Sequence, residues 1–326
     1  MRVLLTGGTG QIGAAIARAL LDAGHDVTAL SRDLDRPGLL AGLPLRWSLG
    51  DITQPETLGL ASRGVEAVVH TAGLVSYAAK DAARLRAVNV EGTRNVLDAA
   101  AAAGARRVVL TSSIAALGEV KAGEIGDEDT VWSWGGLGLH YLESKFEAEQ
   151  LALADTRLEV VALNPGIVFG ADDLNGNTST LFSQVQAGGP PLVPCGATTV
   201  CALPDVAAAH VRALTLGRPG HRYVLGGATP TFLELYAAIA AGVGVPAPSR
   251  VVSEGVLHAF SFVEGGLAYL AHRKPRITPA LARMSCRNRR YRCDKAMSEL
   301  GYTPRRLEDC LAETLTWMRA RGLLKV

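Results

Sequence analysis

Two side chains whose types and spacing could do acid–base chemistry stand in the middle of the sequence, at Tyr141 and Lys145. Residues four apart on a helix lie on one face, a single turn from each other. An ammonium near a phenol stabilises the phenolate and lowers a pKa that is ordinarily about 10. The pair therefore predicts a tyrosine that donates and accepts protons, with Lys145 lowering its pKa. Because this spacing also arises by chance, the prediction needs support from other residues.

A glycine-rich turn near the start of the chain could hold a phosphate. Gly7, Gly10 and Gly13 stand between an apolar run and an amphipathic helical pattern that begins at Gln11. Glycine permits a tight turn and lets backbone amides and the helix N-terminus approach a pyrophosphate. The spacing differs from the more common G-x-G-x-x-G pattern, and an ordinary turn between strand and helix is the alternative. With strand, turn and helix in register, the sequence predicts a dinucleotide site.

The residues after the second predicted strand bear on which dinucleotide binds. An acidic residue there would hold the ribose hydroxyls and select NAD, whereas an arginine accommodates a 2′-phosphate. Here Ser31 takes the place of the acid, and Arg32 follows with a guanidinium that can bind a phosphate through two hydrogen bonds. Asp33 comes late, although a shifted loop could use it. The sequence favours NADP(H) over NAD(H), with a surface arginine as the alternative.

The elements that must position these residues follow from the hydrophobic pattern. Short apolar runs alternate with amphipathic helical patterns through the first half, which is typical of a parallel α/β sheet. Strands are predicted over residues 3–5, 26–30, 45–48, 67–70, 107–111, 158–163 and 223–225. Helices are predicted over residues 11–23, 81–103, 141–154 and 204–216, and the chain from 231 onward is mainly helical. We expect an α/β fold with a doubly wound parallel (Rossmann) sheet and a second, smaller, mainly helical domain. The expected division is a dinucleotide-binding domain of residues 1–168 and 196–228 and a substrate domain of residues 169–195 and 229–326.

Further candidate residues follow the predicted strands, at the edge where α/β sheets bind ligands. They are Asp51 and Ile52 after the third strand, Thr71, Ala72 and Gly73 after the fourth, and Ser113 after the fifth. A serine hydroxyl beside a phenol could hydrogen-bond a substrate carbonyl oxygen, although alone it would only cap a strand end. Asn89, inside a predicted helix, could bridge backbone groups or water near the site. The alternative is that its side chain only forms local hydrogen bonds of its own.

In type and order these residues resemble the extended short-chain dehydrogenase/reductases, over nearly the whole chain. The chain is most similar to the branch with dihydroflavonol reductases, 3β-hydroxysteroid dehydrogenases and hopanoid-associated sugar epimerase-like proteins. The resemblance implies that Tyr141 is the acid/base, Lys145 its pKa partner and a ligand of the nicotinamide ribose, and Ser113 the donor to the substrate oxygen. Asn89 would correspond to the proton-relay asparagine. The implied cofactor-binding residues are Gly7, Gly10, Gln11, Ile12, Gly13, Arg32, Asp51, Ile52, Thr71, Ala72, Gly73, Lys145, Pro165, Gly166 and Val168.

The resemblance implies an NADP(H)-dependent ketoreductase or alcohol dehydrogenase. Apolar residues in the last third suggest a lipophilic substrate such as a flavonoid, steroid or terpenoid. The alternative is a nucleotide-sugar epimerase or dehydratase with retained NAD. Against it, Ser113 is followed by Ile-Ala-Ala-Leu-Gly and not by a segment that ends in Tyr-Gly. A non-catalytic NADP-binding protein is disfavoured because the Tyr–Lys pair is intact.

Composition and charge limit the classes of partner. Of the 326 residues 48% are hydrophobic, and the formal net charge of +2 gives no reason to expect nucleic acid. The five cysteines show no metal-binding spacing and the chain has no signal-like start. We therefore expect reduced thiols, no metal and a cytoplasmic protein. The expected partner is a small-molecule substrate, and a homodimer is also considered.

Two segments of the last third allow two interpretations each. Residues 254–272 are rich in Val, Leu, Phe and Tyr, with basic residues following. They would form a helix packed in the small domain, or a surface that covers a lipophilic substrate or makes a peripheral membrane contact. Four arginines would clamp a phosphorylated substrate or form a solvated basic face, and these are Arg287, Arg289, Arg290 and Arg292.

Overall fold

The structure, a computed structural model, describes residues 1–188, 192–273, 275 and 277–324. Its strands are β1 (Arg2–Thr6), β2 (Asp26–Ser31), β3 (Arg46–Leu49), β4 (Ala67–His70), β5 (Arg107–Thr111), β6 (Glu159–Pro165), β7 (Ile167–Phe169), β8 (Val193–Pro194), β9 (Ala197–Thr198), β10 (Val200–Ala202), β11 (His221–Leu225), β12 (Val251–Val252) and β13 (Asn288–Arg289). Its α-helices are α1 (Gln11–Asp22), α2 (Leu58–Ala61), α3 (Ala82–Leu85), α4 (Gly92–Ala102), α5 (His140–Leu153), α6 (Ser179–Gln186), α7 (Leu203–Ala213), α8 (Phe232–Val243), α9 (Glu254–Leu270), α10 (Pro279–Ser285), α11 (Asp294–Leu300) and α12 (Leu307–Ala320).

A 7-stranded parallel sheet in the order β11-β6-β5-β4-β1-β2-β3 forms the centre of the molecule. The strand order reverses between β1 and β4, the switch point at which doubly wound sheets bind dinucleotides. A strand such as Ala67–His70 is buried along its whole length because apolar clusters cover both faces of the sheet. This explains why the central strands are mostly apolar and do not alternate between apolar and polar residues. The predicted doubly wound sheet is confirmed.

The segment predicted as one helix over residues 81–103 is divided in the structure. A π-helical segment, Arg86–Glu91, separates α3 from α4. A Cβ at Gly92 would lie 2.8 Å from Ile52 Cδ1, so the start of α4 packs directly against the loop after β3. The π-helical segment contains Asn89, and such distortions of a helix are frequent at functional sites.

A second apolar core involves α6, α8 and α12, together with side chains of β7 and β10. Short parallel ladders pair β10 with β7, β12 with β8 and β13 with β9, and so join distant stretches of the sequence. Tyr291 and Leu300 pack instead in the core of the main sheet. The residue boundaries of the two domains stay a prediction.

Helix α9 packs against α10 and directs much of its apolar surface outward. Phe262 is 61% exposed and Tyr269 is 82% exposed, whereas Ser261 and Glu264 are buried. Glu264 accepts a hydrogen bond from Arg273 beyond the end of the helix. Over the residues that the structure describes, no helix has both the length and the hydropathy needed to cross a membrane.

Candidate active site

Tyr141 and Lys145 lie in the first turns of α5, which packs against the turn that follows β5. In that turn Ser113 accepts a hydrogen bond from the Ala115 N–H at 3.1 Å and begins a 3-10 segment. The Ser113 hydroxyl is also close enough to Tyr141 to oppose the rise in the pKa of the phenol. The structure therefore brings Ser113, which is distant in the sequence, to the helix that carries Tyr141 and Lys145.

The electrostatics of the tyrosine and lysine differ from the sequence-based expectation. Burial, reinforced by the neighbouring Tyr77, raises the pKa of Tyr141 well above its ordinary value. Burial also lowers the pKa of Lys145 to about 8. The Lys145 Nζ donates to the Thr111 carbonyl at 2.8 Å, so a strand end holds the ammonium. Tyr141 is therefore a protonated phenol at neutral pH, and the predicted role of Lys145 as its pKa partner stays a prediction.

Asn89 connects the loop after β4 to the helix that carries the tyrosine. Its side-chain oxygen accepts the Leu74 N–H at 2.7 Å, and its Nδ2 donates to the Leu74 carbonyl at 3.0 Å and to Ser144 Oγ at 2.9 Å. These bonds fix α5 relative to the sheet edge through Ser144, the residue before Lys145. The proton-relay role of Asn89 stays a prediction.

A buried carboxylate beneath Lys145 was missed by the sequence analysis. Glu149 is 0% exposed and follows Lys145 by one helical turn. It accepts hydrogen bonds from Arg222 at 3.0 Å and from Asn164, whose Nδ2 also donates to the Ser113 carbonyl at 3.0 Å. Its charge raises the pKa of Lys145 against the effect of burial. The spacing of Tyr141, Lys145 and Glu149 on one helix face was the available signal.

Two buried histidines brace the strand ends below the site. His70 bonds Thr6 Oγ1 at 2.7 Å and Thr93 Oγ1 at 3.0 Å, and His210 bonds Thr111 Oγ1 at 2.8 Å. Burial lowers the pKa of His70 to about 3 and that of His210 to about 4. Both rings are therefore neutral at neutral pH and act as fixed hydrogen-bonding groups.

The glycine turn has the shape that a pyrophosphate site needs. Gly7 has a φ of +71°, and a Cβ there would lie 2.5 Å from the Ala72 nitrogen. A Cβ at Gly13 would lie 2.2 Å from the Gly7 carbonyl oxygen, whereas one at Gly10 would meet only that oxygen, at 3.5 Å. No side chain caps α1, and no acidic residue lies in its first turn. Backbone amides and the helix N-terminus are thus available to an anion, and a dinucleotide fits this turn.

The remaining candidate residues of this edge are held by local contacts. Gln11 donates to the carbonyls of Gly170 at 3.3 Å and Ala171 at 2.8 Å, and the half-buried Ile12 packs against the sheet core. Asp51 accepts the Thr53 N–H at 2.9 Å. Thr71 bonds Thr111 at 3.0 Å, Ala72 donates to Thr6 at 3.2 Å, and Ile52 is buried. A Cβ at Gly73 would approach the side-chain oxygen of Asn89 to 3.3 Å.

The other predicted cofactor-binding residues are Arg32, which follows β2, and Pro165, Gly166 and Val168 at the end of β6 and in β7. Arg32 is exposed after β2, where Ser31 donates to the Asp33 carbonyl at 2.8 Å. Pro165 ends β6, and a Cβ at Gly166 would lie 2.4 Å from the Thr199 carbonyl oxygen. Val168 continues into β7, which pairs with β10. Within the described ranges, no cluster of three metal-ligating side chains is found.

Comparison with known proteins agrees with this geometry. The family described as "NAD dependent epimerase/dehydratase family" matches residues 3–226. A Synechocystis protein provisionally named a dihydroflavonol 4-reductase is 33% identical, with 98% of this chain and 95% of that protein covered. A 2-alkyl-3-oxoalkanoate reductase of Stenotrophomonas maltophilia is 28% identical, with 93% and 95% covered.

Solved structures show the same fold. The structure titled gox2253 has a TM-score of 0.86 and 31% identity, with 99% of each chain covered. MoeE5 in complex with UDP-glucose and NAD has a TM-score of 0.75 and 23% identity, with 99% of this chain and 100% of that chain covered. The chain therefore belongs to the NAD-dependent epimerase/dehydratase family, in the extended short-chain dehydrogenase/reductase group, and is an enzyme of the oxidoreductase type that uses a nicotinamide cofactor.

Proposed function

We propose that the protein is an NADP(H)-dependent reductase of a carbonyl group on a lipophilic small molecule, or the corresponding alcohol dehydrogenase. The observation that carries the proposal is the convergence of Ser113, Tyr141 and Lys145 at the sheet edge that also bears the glycine turn. The nicotinamide, when bound, supplies or accepts the hydride.

The chain's own residues would bind and protonate the substrate oxygen. The Ser113 and Tyr141 hydroxyls would donate hydrogen bonds to it, and Tyr141 would give up its proton as the alcohol forms. Burial keeps Tyr141 protonated, which suits proton donation in the direction of reduction. Lys145 would orient the nicotinamide ribose from its place on the Thr111 carbonyl.

The preference for NADP(H) rests on Arg32, exposed at the end of β2 next to Ser31. A guanidinium there would bind a 2′-phosphate that NAD lacks. Arg32→Ala should raise the KM for NADPH several-fold and leave the KM for NADH little changed. Equal effects on the two cofactors would remove the basis of the preference.

A Tyr141→Phe variant tests the proposal as a whole. It should bind NADPH nearly as the native protein does but lose most turnover on whichever carbonyl compound of a panel is reduced. Tyr269→Phe is the matched control, since Tyr269 is 82% exposed on α9 and distant in the chain from the site. Near-native turnover by Tyr141→Phe would contradict the assignment.

The second candidate is a nucleotide-sugar epimerase or dehydratase with the same residues, favoured by the fold shared with the UDP-glucose complex of MoeE5. That activity would leave the protein with tightly bound NAD after purification and cause no net oxidation of NADPH. A purified protein that retains NAD and turns over UDP-sugars would favour it over the reductase. A cytoplasmic location, a homodimer and a peripheral membrane contact through α9 stay predictions.

A further inference from the structure

Arg289 is a buried cation for which the proposed chemistry gives no reason. Its residue is 4% exposed, and its Nε has no hydrogen-bond partner. Among the residues that the structure describes, no carboxylate lies within ion-pair distance of this guanidinium. Burying a charge without a counter-charge is costly, so an unpaired buried arginine indicates a missing anionic partner.

The neighbouring arginines do not share this property. Arg287 pairs with Glu254 at 2.9 Å, Arg292 pairs with Asp127, and the Arg290 Nε donates to Asn288 at 3.1 Å. The structure thus separates the arginine cluster of the sequence into three partnered side chains and one buried cation. A phosphate clamp made of all four is not formed.

The position of Arg289 links it to the candidate active site. It ends β13, where it pairs with Thr198 of β9, and its backbone carbonyl accepts a hydrogen bond from Thr199 at 3.1 Å. Its charge lowers the pKa of both Tyr77 and Tyr141, against the larger effect of burial. The rings of these tyrosines meet edge to face with centroids 5.5 Å apart. Arg289 is thus bonded to Thr199, whose carbonyl oxygen a Cβ at Gly166 would meet at 2.4 Å, and its charge acts on the phenol that would protonate the substrate.

The surroundings of the two tyrosines are otherwise apolar. They pack in one cluster with Trp132, Trp134, Leu142, Leu281 and Met284 from α5, α10 and the preceding loop. A ligand that fits both the cluster and the cation has an apolar body and one anionic group.

We propose that Arg289 binds the carboxylate of the substrate, which is then an apolar oxo acid or hydroxy acid. A guanidinium matches a carboxylate through two parallel hydrogen bonds. A phosphate dianion would call for a second cation, and the neighbouring arginines are committed to other partners. The assignment deepens the proposed reductase function and rests on it for the identity of the reacting group.

The test compares 3-oxooctanoate with its methyl ester, which keeps the ketone and removes the charge. Charge-assisted hydrogen bonds predict that the native protein prefers the acid by about 10- to 100-fold in kcat/KM. Arg289→Met should abolish that preference, mainly through the KM for the acid, and Arg289→Lys should keep part of it. Arg290→Met, a neighbouring arginine outside the site, should retain the native preference.

A binding measurement separates this proposal from the reductase function. Octanoate binding to the NADPH complex, followed by ligand-observed NMR, should weaken at least about tenfold in Arg289→Met, whether or not any ketone is reduced. Arg289-dependent octanoate binding without reduction would contradict the reductase and support the anion site. Reduction of acid and ester at equal efficiency by native protein and variant would overturn the anion site and leave the reductase standing.

Two further results bear on the nature of the anion and of the arginine. Binding of UDP, but not octanoate, that depends on Arg289 would overturn the carboxylate assignment. Removal of an unpaired buried charge should leave the melting temperature of Arg289→Met equal to or above the native one. A lower melting temperature in Arg289→Met would point the other way. If Arg289→Lys then restored the melting temperature, and the substrate preference only followed that gain in stability, the arginine would serve the fold.

Discussion

Replacing Glu149 by glutamine removes the buried charge beneath Lys145 while it keeps the size of the side chain. In the native protein this carboxylate accepts hydrogen bonds from Asn164 and from Arg222, the latter at 3.0 Å. It also raises the pKa of Lys145, which burial has lowered to about 8. The substitution should therefore move the pKa of Lys145 further down.

The size of the shift can be worked from helix geometry. Side chains at this spacing have Cβ atoms about 5–6 Å apart, and unit charges about 6 Å apart at an effective dielectric of about 20 interact by roughly 2.8 kcal/mol. That energy corresponds to about two pKa units. Arg222 lies on the same carboxylate and offsets part of its field, so the expected shift is about one unit. We predict that the pKa of Lys145 falls from about 8 to about 7.

The rate of acylation of Lys145 as a function of pH reports this pKa without a substrate. Competitive labelling with acetic anhydride, read by peptide mass spectrometry, gives the midpoint for the native protein and the variant. Glu147→Gln is the matched control, because Glu147 lies on the exposed face of the same helix and pairs with Arg86. The control should leave the midpoint unchanged.

With a reducible carbonyl compound in hand, the alkaline limb of kcat/KM should move in the same direction. Under the proposed function the activity needs the Lys145 ammonium, so it should be lost as pH rises through the pKa of Lys145. The loss should begin about one unit earlier in Glu149→Gln. Thermal melting confirms that the variant is folded. A folded variant whose labelling midpoint matches the native one would refute the claim that Glu149 tunes Lys145.

Three further predictions concern stability and binding. Gly13→Ala places a Cβ 2.2 Å from the Gly7 carbonyl oxygen, so it should weaken NADPH binding and lower the melting temperature, whereas Gly59→Ala, with nothing within 4 Å, should not. In the unfolded chain His70 is protonated below about pH 6.5, whereas in the folded protein it stays neutral down to about pH 3. The free energy of unfolding should therefore fall as the pH is lowered between these values, by up to about 1.4 kcal/mol per pH unit. His70→Gln should flatten that part of a series of denaturation measurements against pH. Phe262 is 61% exposed on α9, and Phe262→Ser should reduce flotation with anionic phospholipid vesicles; native protein that stays in the soluble fraction would contradict membrane contact.

The sequence predicted the centre of the main sheet well because strands such as β4 and β5 are buried along their whole length. A short, mainly apolar run such as residues 67–70 indicates a buried strand by its composition alone. The division of the predicted helix over residues 81–103 could not be predicted from the composition of the segment. The π-helical segment around Asn89 is fixed by hydrogen bonds to Leu74 and Ser144, which are distant in sequence.

The candidate site was predictable in its residue types but not in its electrostatics. The one-turn spacing places Tyr141 and Lys145 together whatever surrounds them. Their pKa values depend on burial and on the Thr111 carbonyl, which only the folded sheet supplies. Arg289 could not be distinguished from Arg290 by sequence, because the pairing of β13 with β9 decides which of them is buried.

The short ladders that join distant stretches have a consequence for synthesis on the ribosome. The strands β1 to β6 emerge first, but β11 completes the sheet only after residue 225, and Tyr291 and Leu300 reach its core later still. Likewise β8 and β9 leave the ribosome long before their partners β12 and β13. A nascent chain stalled near residue 228 would therefore expose apolar sheet surface, and we expect it to be held by chaperones and not to bind the dinucleotide as a finished domain.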